Sequence, residues 1–313
     1  MRRFCSEWAF DPVYFPGIKR KRPIRCNQVQ GTTYYSAVNQ LLGPDREDFT
    51  AQYKFDLQPI TDDRPYLFHD FRWSNAREFA ALLMSGGQAL IDWSYPLLVI
   101  NLGIAIVVSM VLIFLPLHWT ERAAHKANRF FPGMYFLAIG LAYLFLEIAL
   151  IEKLVLYLAN PIYAVAVVLS GFLVCSGLGS LVQPFITHRL VSKPGLVFLP
   201  LVGVALLTGI LAGHLHGLPG LPDALNLFLA LLLIAPLALL LGIPFPMAIS
   251  TLNETDPTAV SWAWAVNGCA SVISPMLATL IALHHGLSWL IAAGIGLYLL
   301  AACAGLGFMR KTR

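Results

Sequence analysis

A chain of 313 residues that is 58% apolar and only 12% charged carries about half the charge expected of a water-soluble domain, which argues against a soluble globular fold for most of it. The net charge of +4 is small and spread along the chain, so nothing suggests a nucleic-acid groove or a nucleic-acid partner. The five cysteines form no CxxC pair, which leaves metal and redox chemistry unsupported.

Residues 1–95 read as a small, polar, mixed extramembrane segment. Residues 1–15 hold charges and a proline where a cleavable signal peptide needs an apolar core. The run Lys19-Arg20-Lys21-Arg22 suits either a solvated loop or contact with anionic lipid. Residues 29–42 suggest a short strand and helix. Pro59 and Pro65 punctuate an extended or turning stretch. Residues 76–91 place Phe79, Leu82, Leu83, Leu90 and Ile91 for an interfacial helix, weakened at Gly86 and Gly87. No GxGxxG, GxxxxGK[ST] or HExxH occurs, so no nucleotide-dependent active site is expected of this polypeptide by itself.

From residue 96 to 310 the chain reads as an all-α membrane protein, a bundle of about seven transmembrane helices. Crossing the hydrocarbon core takes roughly 20 mainly apolar residues. The expected spans lie near 96–117, 133–158, 160–183, 194–213, 225–249, 259–283 and 287–308, with His284, His285 and Gly286 as the turn within the last long apolar run. Loop charges predict the orientation. Arg122, Lys126, Arg129, Arg189, Lys193, Arg310, Lys311 and Arg313 fall on one side, and the positive-inside rule makes that side, with the C-terminus, cytoplasmic. An integral protein of a bacterial inner membrane is expected, with residues 1–95 facing outward.

Polar groups within the spans are the candidates for a site. Glu147 lies roughly 22 Å along the second span at 1.5 Å per residue, so it should face other helices or a cavity and be paired or neutralised by a proton. It suits either a substrate, proton or ion contact or a structural clamp between helices. Glu152 and Lys153 lie nearer the membrane edge and read as interfacial anchors, with Lys153 reaching for the headgroups. Trp262 and Trp264 also suit an interface. Asn267 either lines a cavity or hydrogen-bonds between helices. Gly268, Ala270 and Ser271 beside it allow close approach, and Pro275 is expected to bend the span. Pro244 and Pro246 bracket Phe245, so the fifth span either ends near Gly242 or breaks at membrane depth, as transporter helices do. The small residues from Ser170 to Ser180 predict tight helix packing, and no strand precedes them to make a phosphate loop. His214, His216, His284 and His285 read as solvated loop residues. Only Asp223 lies near enough to join a metal site, so none is assigned.

Four segments together carry a resemblance. FDLQPITDDRPYLFHDFRW at 55–73, LAIGLAYLFLEIALIEKLVLYLANPIYAVAVVLSGFLVCSGLGS at 137–180, GIPFPMAIS at 242–250 and WAWAVNGCASVISP at 261–275 resemble the C-terminal membrane region of membrane-embedded spermidine synthase-like proteins. In that family the membrane part accompanies a domain similar to polyamine aminopropyltransferases. Such domains bind decarboxylated S-adenosylmethionine and a diamine on a Rossmann-like fold. The glycine-rich segment and catalytic acids of that domain have no counterpart here, so no catalytic residue and no cofactor are carried over. Asp62, Asp63 and Arg64 match the family's TDDRP segment and are expected to brace a domain junction. Tyr66, Phe68, Phe71 and Trp73 follow as aromatics suited to a membrane-facing surface. The resemblance implies a noncatalytic membrane scaffold or accessory subunit that contacts membrane lipids and a protein partner and has room for a lipid or small molecule. Two alternatives remain open: a transporter of a cationic or amphipathic metabolite, and the membrane part of a split transferase completed by another chain.

Overall fold

The computed structural model describes residue 7 and residues 33–53, 55–57, 59–66, 71–75, 77, 78, 81, 94–120, 129–190, 197–214 and 221–309. The basic stretch 19–22, most of 76–91, the 121–128 loop, His216 and the 310–313 tail lie outside the described residues. The chain divides into two compact units, one of residues 1–59 and 68–92, the other of residues 60–67 and 93–313.

In the first unit, α1 spans Thr33–Leu42 and α2 spans Arg46–Gln52, followed by a single 3₁₀ turn at Trp73–Asn75. The strand expected within 29–42 does not appear there among the described residues, which are helical from Thr33. The C-terminal carbonyls of α2 have no following turn to satisfy them, and Arg72 does so instead. Its guanidinium donates to the carbonyls of Thr50 at 2.7 Å, Ala51 at 2.8 Å and Tyr53 at 3.1 Å. Asp56 stands 3.9 Å from the same group.

The second unit is an all-α membrane bundle. Its helices are α3 (Ser94–Thr120), α4 (Phe130–Leu158), α5 (Pro161–Leu190), α6 (Phe198–His214), α7 (Asp223–Leu241), α8 (Pro244–Thr255), α9 (Thr258–His285) and α10 (Leu287–Met309). Among the described residues, six segments are long and apolar enough to cross a membrane: Ser94–Ile113, Phe130–Leu158, Pro161–Phe185, Asp223–Thr255, Thr258–His285 and Leu287–Phe308. The expected span at 194–213 is the shorter α6 of 17 residues, at the low end of the roughly 17–25 that suffice to cross. The expected span at 225–249 is two helices. α7 stops at Leu241, and α8 restarts at Pro244 with that proline in its first turn, where a missing N–H costs nothing.

Two local signals set the helix ends. Between α4 and α5, Ala159 adopts φ 50° and Asn160 caps α5, its Oδ1 accepting from the amide of Ile162 at 3.0 Å. Between α9 and α10 the chain turns at Gly286, at φ 97°, a conformation that only glycine adopts without strain.

α4 is the most enclosed of the crossing segments and packs against α10, α9 and α5. Small residues bring the axes together. A Cβ at Gly179 of α5 would collide with the carbonyl of Leu239 of α7, and one at Gly242 with the carbonyl of Ser176. The packing role expected for the 170–180 run therefore falls on particular members, since Gly177 faces open space. At the other crossing, Ser274 of α9 donates to the carbonyl of Leu141 of α4 at 3.0 Å, and Tyr135 of α4 donates to the carbonyl of Pro244 at 2.8 Å.

Candidate functional site: a docked acidic turn and the cavity beside it

The TDDRP segment forms a closed turn. Thr61 and Arg64 pair through their backbones, with the Arg64 amide donating to Thr61 O at 2.8 Å and also reaching Thr61 Oγ1 at 3.2 Å. This geometry points Asp63 at the α9–α10 connection, within the same compact unit. Helix α10 begins at Leu287 directly after His285 and Gly286, so it has no Ser, Thr, Asp or Asn of its own at the capping position. Asp63 supplies the acceptors from a distant part of the chain. Its carbonyl accepts from the Leu287 amide at 2.9 Å. Its Oδ1 accepts from the Ser288 amide at 2.9 Å and from Ser288 Oγ at 2.7 Å. A carboxylate at a helix N-terminus also meets the positive end of the backbone dipole. The turn approaches so closely that a Cβ at Gly286 would overlap the Asp63 carboxylate.

Lys153 completes the arrangement. The sequence places it as a headgroup anchor, but its side chain is only 10% exposed and its Nζ lies 3.8 Å from Asp63 Oδ1. It turns inward because a counter-charge stands there, and that charge comes from a turn ninety residues earlier in the chain. Glu152 is half-buried. Tyr66, just after the turn, packs against the apolar core. Burial, with the Glu152 carboxylate as a second cause, pushes its phenol above the ordinary tyrosine range.

A cavity of about 670 Å³ opens beside this cluster, within the roughly 300–1,000 Å³ typical of small-molecule sites. Its polar end carries Asp62, Asp63, Lys153, His214 and Ser288, and the rest is apolar side chain and glycine from α4, α6 and α10. His214 Nδ1 bonds the carbonyl of Ile210 at 2.8 Å. At the end of α9, His284 bonds Tyr95 at 3.2 Å and Leu280 O at 2.8 Å, so it is held by two partners and is not a bare loop residue. Among the described residues no group of three or more His, Cys, Asp or Glu is placed to hold a metal ion.

The other expected site residues lie elsewhere. Asn267 sits at the α4–α9 crossing, where a Cβ at Gly140 would come within 2.8 Å of its Oδ1. That is an interhelical position, and Asn267 is not among the residues that line the cavity beside Asp63. Glu147 lies seven residues beyond Gly140, about 10 Å along α4. Glu147 is 6% exposed, and no hydrogen bond or ion pair joins its carboxyl to a described residue. Its neighbour one turn back, Tyr143, contacts Ser176 Oγ at 3.3 Å. The Pro244/Pro246 break is packed against α5 and α4 through Gly242 and Pro244 O. Trp264 is exposed and meets Phe245 edge-on at 4.7 Å, while Trp262 packs on Gly133 with its Nε1 buried and unpaired.

Sequence reasoning did not anticipate Ser288, Gly209 or Gly213, nor that a cavity lies beside the TDDRP turn. One signal was available: the HHGLS connection leaves α10 without a cap of its own, which asks for an acceptor from elsewhere. No family model, no curated protein and no solved structure matches the chain.

Proposed function

We propose that this chain is a noncatalytic membrane module, an accessory subunit or scaffold that retains a protein partner at the bilayer and holds a lipid or small amphiphile in the cavity beside the docked turn. The observation that carries the reading is the capture of residues 60–67 by the α9–α10 connection through Asp63. It makes the turn part of the same compact unit as the bundle. The resemblance to spermidine synthase-like membrane regions supports a partner of aminopropyltransferase type, carried on another chain. The loop charges support a C-terminus in the cytoplasm, and the membrane proposed is a bacterial inner one. Purification from native membranes in lipid discs tests this. A stoichiometric partner crosslinked through residues 33–75 is expected. A chain that stays alone, or that transfers aminopropyl groups by itself when given decarboxylated S-adenosylmethionine and a diamine, overturns it.

A second reading, transport of a cationic or amphipathic metabolite, is favoured by one observation, the mostly buried Glu147, whose carboxyl has no bonded partner among the described residues. Such groups inside a span mark ion and substrate paths. Uptake of polyamines by proteoliposomes, abolished in Glu147→Gln, is the expected result. Absence of uptake across a panel of organic cations removes this reading.

A further inference from the structure

We infer that the cavity beside Lys153 binds one zwitterionic phospholipid whose headgroup carries a primary amine. The inference deepens the membrane-module reading by naming the occupant of its cavity.

Three observations carry it. The first is an incompletely satisfied buried charge. Lys153 is nine-tenths buried, and its ammonium has three N–H donors. It makes one ion pair, at 3.8 Å, to an oxygen that already accepts two hydrogen bonds from Ser288, and no hydrogen bond joins it to a described residue. The ammonium opens onto the cavity, so its free donors point where a bound group can reach them. A phosphate oxygen within hydrogen-bond reach satisfies them.

The second is charge balance at the polar end. Asp62 and Asp63 outnumber Lys153 there, so a headgroup bearing only negative charge meets repulsion from Asp62. A headgroup with phosphate toward Lys153 and ammonium toward Asp62 matches both signs. A primary ammonium donates hydrogen bonds to a carboxylate. A quaternary one has none to donate and is recognised by aromatic faces, and among the described residues no Phe, Tyr or Trp lines this cavity.

The third is access. Leu156, Leu206 and Ile210 line the cavity and are exposed, so its apolar side is open at the surface of the bundle. An acyl chain can therefore enter from the bilayer. Gly209 and Gly213, four apart on α6, keep the interior open: a Cβ at Gly209 would stand 3.2 Å from Ile291, and one at Gly213 would stand 3.5 Å from Lys153 Nζ.

The test is native mass spectrometry of the delipidated full-length chain, titrated with phosphatidylethanolamine, phosphatidylcholine and phosphatidylglycerol of identical acyl chains, and with free phosphoethanolamine. One phosphatidylethanolamine per chain is expected, held at least about tenfold more tightly than the other two lipids, the ratio expected for one lost charge-assisted hydrogen bond. Free phosphoethanolamine is expected not to displace it. Lys153→Met removes the phosphate contact. Gly209→Leu fills the apolar interior without touching a charge, so it tests the site even if the lysine variant fails to fold. Equal retention of the three lipids, or retention of phosphatidylethanolamine unchanged by Gly209→Leu, overturns the inference. Displacement by free phosphoethanolamine overturns it in favour of a soluble ligand. No partner protein enters the assay, so its failure leaves the partner proposal standing.

Discussion

Replacing Asp63 tests the docked turn most directly. Asp63→Ala removes the carboxylate that accepts both hydrogen bonds from Ser288 in the first turn of α10. Loss of a capping side chain costs about 0.5–2 kcal/mol. The same change strips Lys153 of its counter-ion. A fully buried pair broken on one side would cost roughly 3–5 kcal/mol. This pair is 3.8 Å long and the Asp63 side chain is 39% exposed, so solvent screening brings its share down to the surface range of about 0–1 kcal/mol. Together the two losses come to about 2 kcal/mol, roughly a thirtyfold shift toward an undocked turn. Asp63→Asn separates them. The amide oxygen still caps the helix, so only the charge contribution is lost, and that residual loss should disappear in a Lys153→Met background. The assay is site-resolved hydrogen exchange in lipid discs. The Ser288 amide reports the side-chain cap, and the Leu287 amide, bonded to Asp63 O, reports docking of the turn itself. Protection at both should fall by about thirtyfold in Asp63→Ala and by less than about fivefold in Asp63→Asn. Unchanged protection in Asp63→Ala would falsify the capping argument. Equal loss in both variants would show that charge, and not the cap, holds the turn.

Three further outcomes follow from the packing. Gly179→Ala drives a methyl into the Leu239 carbonyl and should destabilise the α5–α7 contact by about 1–3 kcal/mol, whereas Gly177→Ala meets open space and should be neutral or stabilise by up to about 1 kcal/mol from helix propensity; thermal unfolding of the two in one detergent gives opposite signs. Ser274→Ala deletes the bond to Leu141 O and should cost about 0.6 kcal/mol, the usual size for an interhelical bond in a membrane, read as a small drop in midpoint under denaturing detergent. Tyr66 is held as a neutral phenol with its folded pKa above the unfolded value near 10. Its contribution is complete below pH 10 and is lost as pH rises beyond that point, so Tyr66→Phe should flatten the alkaline limb of a stability–pH curve, and an unchanged limb would show that another group controls it.

The spans were legible because lipid leaves the chain few choices. With no water to bond backbone groups, an apolar run of this length is expected to be helical, and run length alone placed α3, α4, α9 and α10 to within three residues at each end and α5 at its start, the helix running to Leu190, seven residues past the expected end. The α7–α8 interruption was half legible. Pro244 and Pro246 announced that regular helix does not pass, but whether the chain ended or restarted depended on the packing of Gly242 against Ser176, which no local pattern encodes. Lys153 shows the same limit at the site. Position along α4 puts it near a headgroup layer, and a lysine there ordinarily reaches outward. Its inward turn depends on Asp63, a contact ninety residues away in sequence. Asn267 was readable as a polar residue among small ones, and its placement against Gly140 then followed from which α4 face met α9.

The Asp63 turn resolves two unsatisfied features of the bundle with one carboxylate. Without it, α10 would start with free amides and no local cap, and Lys153 would be a charge in an apolar wall with no counter-ion. Those two deficits lie on different helices, α10 and α4, and a single group can meet both only if the helix ends are already adjacent. The extensive packing of α4 on α10 supplies that adjacency, and Gly286 supplies the room. Residues 60–67 are therefore part of the membrane domain in energetic terms, although by composition they belong with the polar segment before residue 95. The same economy leaves something over. One carboxylate oxygen shared among two Ser288 donors and Lys153 cannot saturate an ammonium, so Lys153 keeps N–H donors that no described residue accepts, on a cavity that Asp62 also lines.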